Sequence, residues 1–511
     1  MDKTKLQYSR DEFSAGPMIA PIAATLGALA VGLAIHQLDG EYTPHAILLV
    51  TVALVCAVVS VGCSVWVSRL RLRESTAPLA SRSRKRLTER ASERDFTLTV
   101  TLLAALLIQF AILFWTWPAG IDQTIVSPQN RAIYLGTLAI AALLVILGIT
   151  RIRFLQRWWF AGLLIVHLLL SIWMIRSSPT PHIDVWVFQQ QGADGLLRGI
   201  NPYVADQIKY PDIYHSTQPG RQEVYGPGMS KDDQLQFGFP YPPLSLLLAT
   251  LGYKLAGDIR YAQAAAHALG GFFIGYARRG IVPKHAAAML LFTPRILFIV
   301  GRAWTEPFVV MLLAAVIFCA ARKSRWLPIA LGLFLASKQY LIFAVPLTFL
   351  LLRDPFDPRS RASWMSWLRL LFFAAIVAAV VTLPLALRDW RQCWFSLFTV
   401  QQKAPFRWDA LSYQVYLGLR NSDYLRRAWM PFLPFVATLL ALAWSMWKAP
   451  RTAGGVAAAL ALVYLTFFAF NKQAFCNYYF FAIGALCCAI AMLDAERPAL
   501  PGTATTSNPH S

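Results

Sequence analysis

Residues 97 to 117 read TLTVTLLAALLIQFAILFWTW, and residues 69 to 95, just before them, read RLRLRESTAPLASRSRKRLTERASERD. The apolar run has the roughly 20 residues that a helix needs to cross the hydrocarbon core of a bilayer. The preceding stretch carries nine basic and four acidic side chains, and the positive-inside rule places such a stretch in the cytoplasm. Together they predict a transmembrane helix whose N-terminal end faces the cytoplasm.

The composition of the whole chain agrees with a membrane protein. Of 511 residues, 57% are hydrophobic and only 14% are charged, which is too few charges to cover a water-soluble protein of this size. The net charge of +21 would suggest a nucleic-acid ligand in a soluble protein. Here the basic stretch has no aromatic stacking partners around it, so a cytoplasmic loop explains it better and we predict no nucleic-acid partner.

Further apolar runs predict an all-α, polytopic protein with about fourteen crossings and both termini in the cytoplasm. The stretch 242–257 is short for a span and ends in Gly-Asp rather than in a basic anchor, so we expect an interfacial helix on the outer surface. The stretch 326–352 holds a lysine that would be costly in mid-membrane, so we expect two short legs that turn at residues 337–339. The other predicted spans are 17–36, 46–68, 131–150, 158–175, 258–277, 284–300, 305–321, 367–387, 429–446, 454–470 and 475–493.

We divide the chain into an N-terminal four-span region, 1–157, a catalytic membrane domain, 158–493, and a disordered cytoplasmic tail, 494–511. Two long loops are predicted on the outer side. The first, 176–241, is longer than a connection requires, which is typical of a functional loop. The second, 388–428, has seven basic and three acidic residues, against the positive-inside rule. It is either an exception, since long loops follow that rule poorly, or a site for an anion.

Ionisable residues recur at the predicted outer ends of the spans and in the outer loops. Each has a simple structural explanation, such as an ion pair between Glu306 and Arg302 or a lysine that snorkels to the interface. Their convergence on one face nevertheless predicts a single outward-facing cavity. The residues are Asp184, Arg302, Glu306, Lys338, Lys403, Arg407 and Lys472.

Asp184 lies in the sequence SSPTPHIDVWVFQQQGADGLLRGINPYV, residues 177–204, shortly after the fifth span. A partly desolvated carboxylate at the membrane rim suits a general base that removes a proton from a hydroxyl group. A helix N-cap is the alternative role. His182 and Asp184 alone are too few ligands for a metal, and no HExxH, CxxC, P-loop, Rossmann or GxSxG pattern accompanies them. We predict no cofactor and leave a divalent metal open.

Several fragments resemble a known family when they are taken in order. After Asp184 these are LLRGINPY (196–203), FPYPPL (239–244), WTEP (304–307), LGLFLASKQY (331–340) and NKQAFCNYYF (471–480). Their order over 158–493 resembles the GT-C superfamily of membrane glycosyltransferases, in particular the polyprenol-phosphate-mannose-dependent mannosyltransferases of glycosyltransferase family 87.

The resemblance implies transfer of one sugar, mannose, from a polyprenyl-phosphate donor to a hydroxyl of a glycan or glycolipid acceptor. Transfer would occur on the extracytoplasmic face of the cell membrane, with inversion at the anomeric carbon and Asp184 as base. Lys338, Arg302 and Lys472 would bind the donor phosphate. The implied substrate contacts are His182, Asn201, Tyr203, Tyr241, Glu306, Lys403, Asn477 and Tyr478.

Two other classes of protein fit part of the pattern. A secondary transporter also has many spans and intramembrane charges, but its paired halves with broken helices are not seen in this sequence. A flippase or ligase for lipid-linked glycans also handles lipid phosphates with outer-face cations, and it stays open as an alternative.

Overall fold

The structure is a computed structural model that describes residues 16–74, 81–121, 127–150, 152–214, 224–352 and 356–493. The predicted tail, 494–511, lies outside these residues, as do residues 1–15 and the segment 215–223 of the first outer loop.

The described residues confirm the all-α class. Eight helices are long and apolar enough to cross a membrane, and four shorter apolar helices accompany them. The number of crossings stays a prediction. The helices are α1 Gly16–His36, α2 Pro44–Glu74, α3 Ser81–Trp115, α4 Pro128–Leu147, α5 Arg153–Arg176, α6 Asp184–Leu197, α7 Pro243–Ala256, α8 Arg260–Gly275, α9 Val282–Leu291, α10 Ile296–Gly301, α11 Glu306–Ala321, α12 Leu327–Leu335, α13 Arg361–Ala386, α14 Trp390–Trp394, α15 Val400–Lys403, α16 Tyr413–Arg420, α17 Leu433–Lys448, α18 Ala453–Ala469 and α19 Cys476–Leu493.

Short helical and extended segments complete the fold. A two-stranded antiparallel hairpin, β1 Ser230–Lys231 and β2 Gln234–Leu235, lies in the first outer loop. Its two turn residues, Asp232 and Asp233, have positive φ angles of 51° and 57°, which a tight hairpin turn requires at both central positions. The 3₁₀ and π segments are Gln339–Leu351, Phe395–Thr399, Ser422–Arg426 and Met430–Phe432.

Two predicted elements differ in the structure. The span expected at 284–300 is divided into α9 and α10, because Pro294 provides no backbone N–H and disfavours helical geometry in the preceding residue. The basic stretch expected as a loop is largely helical, since α2 continues to Glu74 and α3 begins at Ser81.

The turn predicted within 326–352 is confirmed. Helix α12 ends at Leu335, Lys338 is extended with φ −152° and ψ 147°, and the 3₁₀ helix Gln339–Leu351 follows. Helix α7, which we predicted to be interfacial, has 14 residues. Its length of about 21 Å is less than the hydrocarbon thickness of about 30 Å, and its interfacial position stays a prediction.

Helix α19 forms the centre of the bundle, since 94% of its 18 residues are buried. It packs against α1, α9, α11 and α18. The N-terminal region shares this core, because Gln109 of α3 donates to the carbonyl of Met289 on α9 over 3.3 Å. Arg295 likewise contacts Asp39 over 2.9 Å in the loop between α1 and α2. All seven cysteines are free, including Cys393 and Cys476, the two that the predicted topology places toward the outer side.

A close approach between the α1–α2 loop and the start of α19 gives a test of this packing. Gly40 has φ +83°, and a Cβ atom there would lie 2.6 Å from the backbone nitrogen of Cys476. We expect Gly40→Ala to lower the free energy of unfolding in detergent by about 2 kcal/mol or more, through backbone strain and overpacking.

Gly136→Ala on α4 is the matched control, since a Cβ there would meet nothing within 4 Å. We expect this control to leave the free energy of unfolding unchanged or slightly higher. Equal stability of the two variants would contradict the close contact.

Candidate active site

Asp184 is the first residue of α6 and is half-buried at the predicted outer end of the bundle. Its Oδ2 accepts a hydrogen bond from the hydroxyl of Tyr225 over 2.9 Å. Its Oδ1 accepts from the hydroxyl of Tyr214 over 3.4 Å and from the backbone N–H of Val185 over 2.8 Å. The N-cap position of α6 is Ile183, and Asp184 does not make the side-chain contact of an N-cap. Two tyrosines of the first outer loop hold its carboxylate instead.

The surroundings of Asp184 tune its acidity. Burial raises the pKa of the Asp184 carboxyl above its ordinary value. The hydrogen bonds from Tyr225 and Val185 and the positive charge of Arg407 act in the opposite direction. Burial, reinforced by the charge of Asp184, also raises the pKa of Tyr214 and Tyr225, so both hydroxyls stay protonated as donors. A carboxylate with a raised pKa is a better proton acceptor.

Glu306 and Lys338 form an ion pair that is almost fully buried. The Lys338 Nζ lies 3.0 Å from Glu306 Oε1, and the side chains are 4% and 0% exposed. Glu306 begins α11, whereas Lys338 occupies the break after α12. The alternative pairing of Glu306 with Arg302 is therefore not the one that the structure has. The Lys338 ammonium also lies over the ring of Tyr241, 4.4 Å from its centroid.

Polar atoms around this ion pair lack hydrogen-bond partners within the part of the chain that the structure describes. They are both carboxylate oxygens of Glu306, the Thr305 Oγ1 and the Tyr340 hydroxyl. The Lys338 Nζ lies close to the Glu306 Oε1, but the contact does not have the geometry of a hydrogen bond. Buried polar atoms are seldom left unpaired, so these atoms indicate a place for a polar ligand or water.

Tyr241 connects the ion pair with Asp184. After burial, which is the largest cause, the charges of Asp184 and then Glu306 both raise the pKa of Tyr241. Tyr478 also lies near Tyr241, because its hydroxyl contributes to the raised pKa of Tyr241. The ring centroid of Tyr478 lies 6.0 Å from that of Tyr340.

Other predicted substrate contacts lie behind Tyr241. Tyr203 is fully buried, and its hydroxyl donates to the Tyr241 carbonyl over 2.5 Å. The side-chain oxygen of Asn201 accepts from the Tyr203 backbone N–H over 3.2 Å. Asn477 is also buried, on α19. Tyr203 and Asn201 thus support the backbone at Tyr241, and their contact with a sugar stays a prediction.

The cations at this end of the bundle have different partners. Arg302 donates from Nη1 to the His182 carbonyl over 3.2 Å, and the His182 side chain is exposed. Lys472 donates from Nζ to the carbonyls of Gln402 and Ala404, over 3.2 and 2.6 Å, and burial lowers its pKa. Lys472 therefore connects the loop before α19 with the second outer loop through hydrogen bonds.

The second outer loop brings Arg407 to the site. Arg407 pairs with Asp409 over 2.5 Å, and its guanidinium lies 4.9 Å from the ring centroid of Phe475. Its charge acts on both Asp184 and Tyr214. Lys403, in the same loop, has an exposed side chain, while its carbonyl lies close to Gly226. The two outer loops therefore meet beside Asp184. The single outward-facing cavity stays a prediction.

Sequence reasoning missed Tyr214 and Tyr225. No short motif identifies them, because their role depends on how the loop folds back over α6. Among the described residues, no three His, Cys, Asp or Glu side chains are grouped so as to hold a metal ion.

Comparisons with known proteins give one kind of match. Protein-family models and curated protein sequences give no match to the chain. Similar solved structures include the crystal structure of ArnT from Cupriavidus metallidurans in the apo state, with 18% identity and a TM-score of 0.40, covering 65% of this chain and 58% of that one. The structure of the same protein bound to undecaprenyl phosphate has 18% identity and a TM-score of 0.39, covering 65% of this chain and 59% of that one. The chain thus spans less than two thirds of the length of these proteins.

The buried ion pair gives a test of the site's geometry. We expect Glu306→Gln to lower the free energy of unfolding by about 3–5 kcal/mol, because it leaves the Lys338 charge buried without a carboxylate. The double variant Glu306→Gln with Lys338→Met removes both charges, and we expect it to recover most of that loss. Denaturant unfolding of the purified protein in detergent measures both.

Arg198→Gln is the control, because its ion pair with Asp194 has side chains that are 64% and 40% exposed. Such surface pairs contribute little. A loss in Glu306→Gln no larger than in Arg198→Gln would contradict the buried pair.

Proposed function

We propose that the protein is an inverting membrane glycosyltransferase that moves a sugar from a polyprenyl-phosphate donor to an acceptor hydroxyl, with Asp184 as general base. One observation carries the proposal: a half-buried carboxylate, held by the hydroxyls of Tyr225 and Tyr214, lies at the rim of an apolar bundle with cations around it. A base, a set of cations and a lipid-exposed scaffold are what transfer from a lipid-linked sugar phosphate requires.

The reaction is a single displacement. The acceptor oxygen attacks the anomeric carbon of the donor sugar while its proton passes to an oxygen of Asp184. The bond between the anomeric carbon and the phosphate oxygen breaks, and its electron pair leaves with the polyprenyl phosphate. One attack from the face opposite the leaving group inverts the configuration of the anomeric carbon. The tyrosine hydroxyls keep the carboxylate oriented toward the acceptor.

Cations stabilise the phosphate that leaves. Arg407 acts on Asp184 through its charge, and Arg302 is joined to the chain segment before Asp184. Lys472 lies beside the same outer loop, with a hydrogen bond to the Ala404 carbonyl. We assign the donor phosphate to these three side chains together with Lys338, since charge-assisted hydrogen bonds to phosphate are strong.

The Glu306–Lys338 pair suits the boundary between phosphate and sugar. Lys338 contacts both Glu306 and the ring of Tyr241. We assign its ammonium group to the donor phosphate, and the Glu306 oxygens to hydrogen bonds from sugar hydroxyls. The unpaired oxygens of Glu306, Thr305 and Tyr340 support this assignment. Tyr241 and Tyr478 offer aromatic faces next to them, on which a sugar ring can stack.

The membrane setting and the substrate follow from the same features. The charge pattern of the loops favours the extracytoplasmic face for Asp184 and the cytoplasm for both termini. The polyprenyl chain of the donor would lie between helices at the lipid-facing side of the bundle. We propose mannose as the sugar, on the family resemblance of the fragments over 158–493, and a glycan or glycolipid as the acceptor.

Asp184→Asn tests the base. We expect the variant to lose about 10²–10⁴-fold in kcat, because asparagine keeps the shape but does not accept the proton. The measurement is transfer of radiolabelled mannose from polyprenyl-phosphate mannose to extracted membrane glycolipids by purified protein in detergent, without any ion gradient. A carrier would form no glycosidic bond in this assay.

Asp232→Asn is the matched control, because it makes the same change in the hairpin turn of the same outer loop. We expect it to keep wild-type activity. Full activity of Asp184→Asn, at normal expression, would overturn the catalytic assignment.

Tyr225→Phe tests how the base is held. Removing its hydrogen bond raises the pKa of Asp184 further, and the unprotonated base is lost as pH falls through that pKa. We therefore expect the acid limb of the kcat/KM profile to move to higher pH, with activity largely recovered at alkaline pH.

Tyr253→Phe is the control for this profile. Its hydroxyl donates to Asp194 over 3.1 Å toward the C-terminal end of the same helix, α6. We expect it to leave the acid limb unchanged, and an unchanged profile in Tyr225→Phe as well would contradict the role of the tyrosine.

A further inference from the structure

A network of buried glutamine side chains joins α6, α8 and the turn from α10 to α11. Gln189 on α6 and Gln263 on α8 are both fully buried. The Gln189 Nε2 donates to the carbonyl of Ala303 over 2.6 Å, and the Gln263 Nε2 donates to the same carbonyl over 2.9 Å. The Gln263 Nε2 also donates to the Gln189 Oε1 over 3.0 Å. One carbonyl oxygen of the turn is thus held by two side chains that also hold each other.

Ala303 has a backbone conformation that depends on such support. Its φ angle is +57°, in the left-handed region that alanine seldom adopts, and the residue is fully buried. Strained conformations of this kind persist where the surroundings hold them, and they cluster at functional sites. Ala303 directly follows Arg302 and precedes Glu306 by three residues, so one turn presents both of these side chains.

Gln189 also connects the network with Asp184. Its Nε2 donates to the carbonyl of Val185 over 3.1 Å, in the first turn of α6, and the Val185 N–H donates to the Asp184 Oδ1 over 2.8 Å. The neighbouring Gln190 fixes the same helix to the segment before α8, because its Nε2 donates to the carbonyl of Gly257 over 2.7 Å. The helix that begins with Asp184 is therefore attached both to α8 and to the turn before α11.

Arg260 holds two neighbouring chain segments from the same side of α8. Residues three apart lie on one face of a helix, so Arg260 and Gln263 point the same way. Arg260 is fully buried, and its Nη1 donates to the carbonyls of Ser178 and Gly301 over 2.7 and 3.4 Å. Its charge is paired with Asp258, whose two oxygens both lie 3.0 Å from the Arg260 Nε. The segment between α5 and α6 and the end of α10 are thus fixed to one helix.

We propose that Gln189 and Gln263 are positioning residues for the transfer reaction. They fix the place of Asp184 relative to the turn that carries Arg302 and Glu306. The role rests on the proposed function, in which Asp184 takes the proton while the side chains of this turn bind the donor. Neither glutamine is assigned a contact with a substrate, so both act through the Ala303 carbonyl and through α6. Correct placement matters, because a misplacement of about 1 Å can slow a reaction about 10²-fold.

The double variant Gln189→Met with Gln263→Met tests this role through the kinetics of mannose transfer in detergent. Methionine has a similar size but donates no hydrogen bond, so the Ala303 carbonyl loses both partners. We expect kcat per folded molecule to fall about 10²-fold, whereas the KM of the donor changes less than about threefold. The donor keeps its binding side chains, and only their place relative to the base changes.

The two single variants keep the test valid if the double variant does not fold. Each of them leaves one amide donor at the Ala303 carbonyl. We therefore expect each single variant to lose less kcat than the double variant, with the donor KM again nearly unchanged. Because the two side chains act as one unit, the product of the two single losses should be smaller than the loss in the double variant.

Gln109→Met is the matched control. Gln109 is also a fully buried glutamine, and it donates to the carbonyl of Met289 over 3.3 Å in a different part of the bundle. We expect this variant to lose stability but to keep the wild-type kcat per folded molecule. An equal loss of kcat in Gln109→Met would overturn the positioning role, because it would show a general effect of removing a buried amide.

Hydrogen exchange of the backbone amides of residues 301–306 is a second measurement, and it needs no enzymatic activity. We expect faster exchange in the double variant than in the wild type or in Gln109→Met, because the turn loses both side-chain donors. Unchanged exchange in the double variant would overturn the inference, whether or not transfer is observed.

The positioning role and the proposed function fail in different ways. Full activity of Asp184→Asn, or a wild-type protein that forms no glycosidic bond, would remove the proposed reaction and the positioning role with it. Transfer that depends on Asp184, together with a wild-type kcat in the glutamine double variant, would overturn the positioning role alone.

Discussion

The structure depends on one constraint: a partly buried carboxylate needs hydrogen-bond donors around it. Asp184 meets this constraint through Tyr225, Tyr214 and the backbone N–H of Val185. The two tyrosines lie 30 and 41 residues after Asp184 in the same outer loop, so this loop must fold back over α6. That fold brings Tyr241, and with it the Lys338 ammonium, to the same end of the bundle.

Some of this arrangement could be predicted from the sequence because it follows from local physical rules. The apolar runs predicted helices, and the cost of a lysine in mid-membrane predicted the break at Lys338. Asp184 stood out because it follows a span after only a short segment. The division of 284–300 was missed, although Pro294 was visible in the sequence, because the run is otherwise apolar throughout.

Other parts of the site could not be predicted, because they depend on contacts between residues far apart in sequence. The ion pair between Lys338 and Glu306 depends on how α11 and α12 are placed relative to each other, which the sequence does not show. The hydroxyl donors Tyr214 and Tyr225 belong to no motif. The full burial of Tyr203 and its hydrogen bond to the Tyr241 carbonyl also depend on how the loop folds.

The anomeric configuration of the product tests the central claim most directly. A single displacement with Asp184 as base predicts that the new glycosidic bond has the configuration opposite to that of the donor. NMR coupling constants of the anomeric centre in donor and purified product measure this. Retention of the donor configuration would contradict the account, because it requires a covalent or ion-paired intermediate with a nucleophile in place of a base.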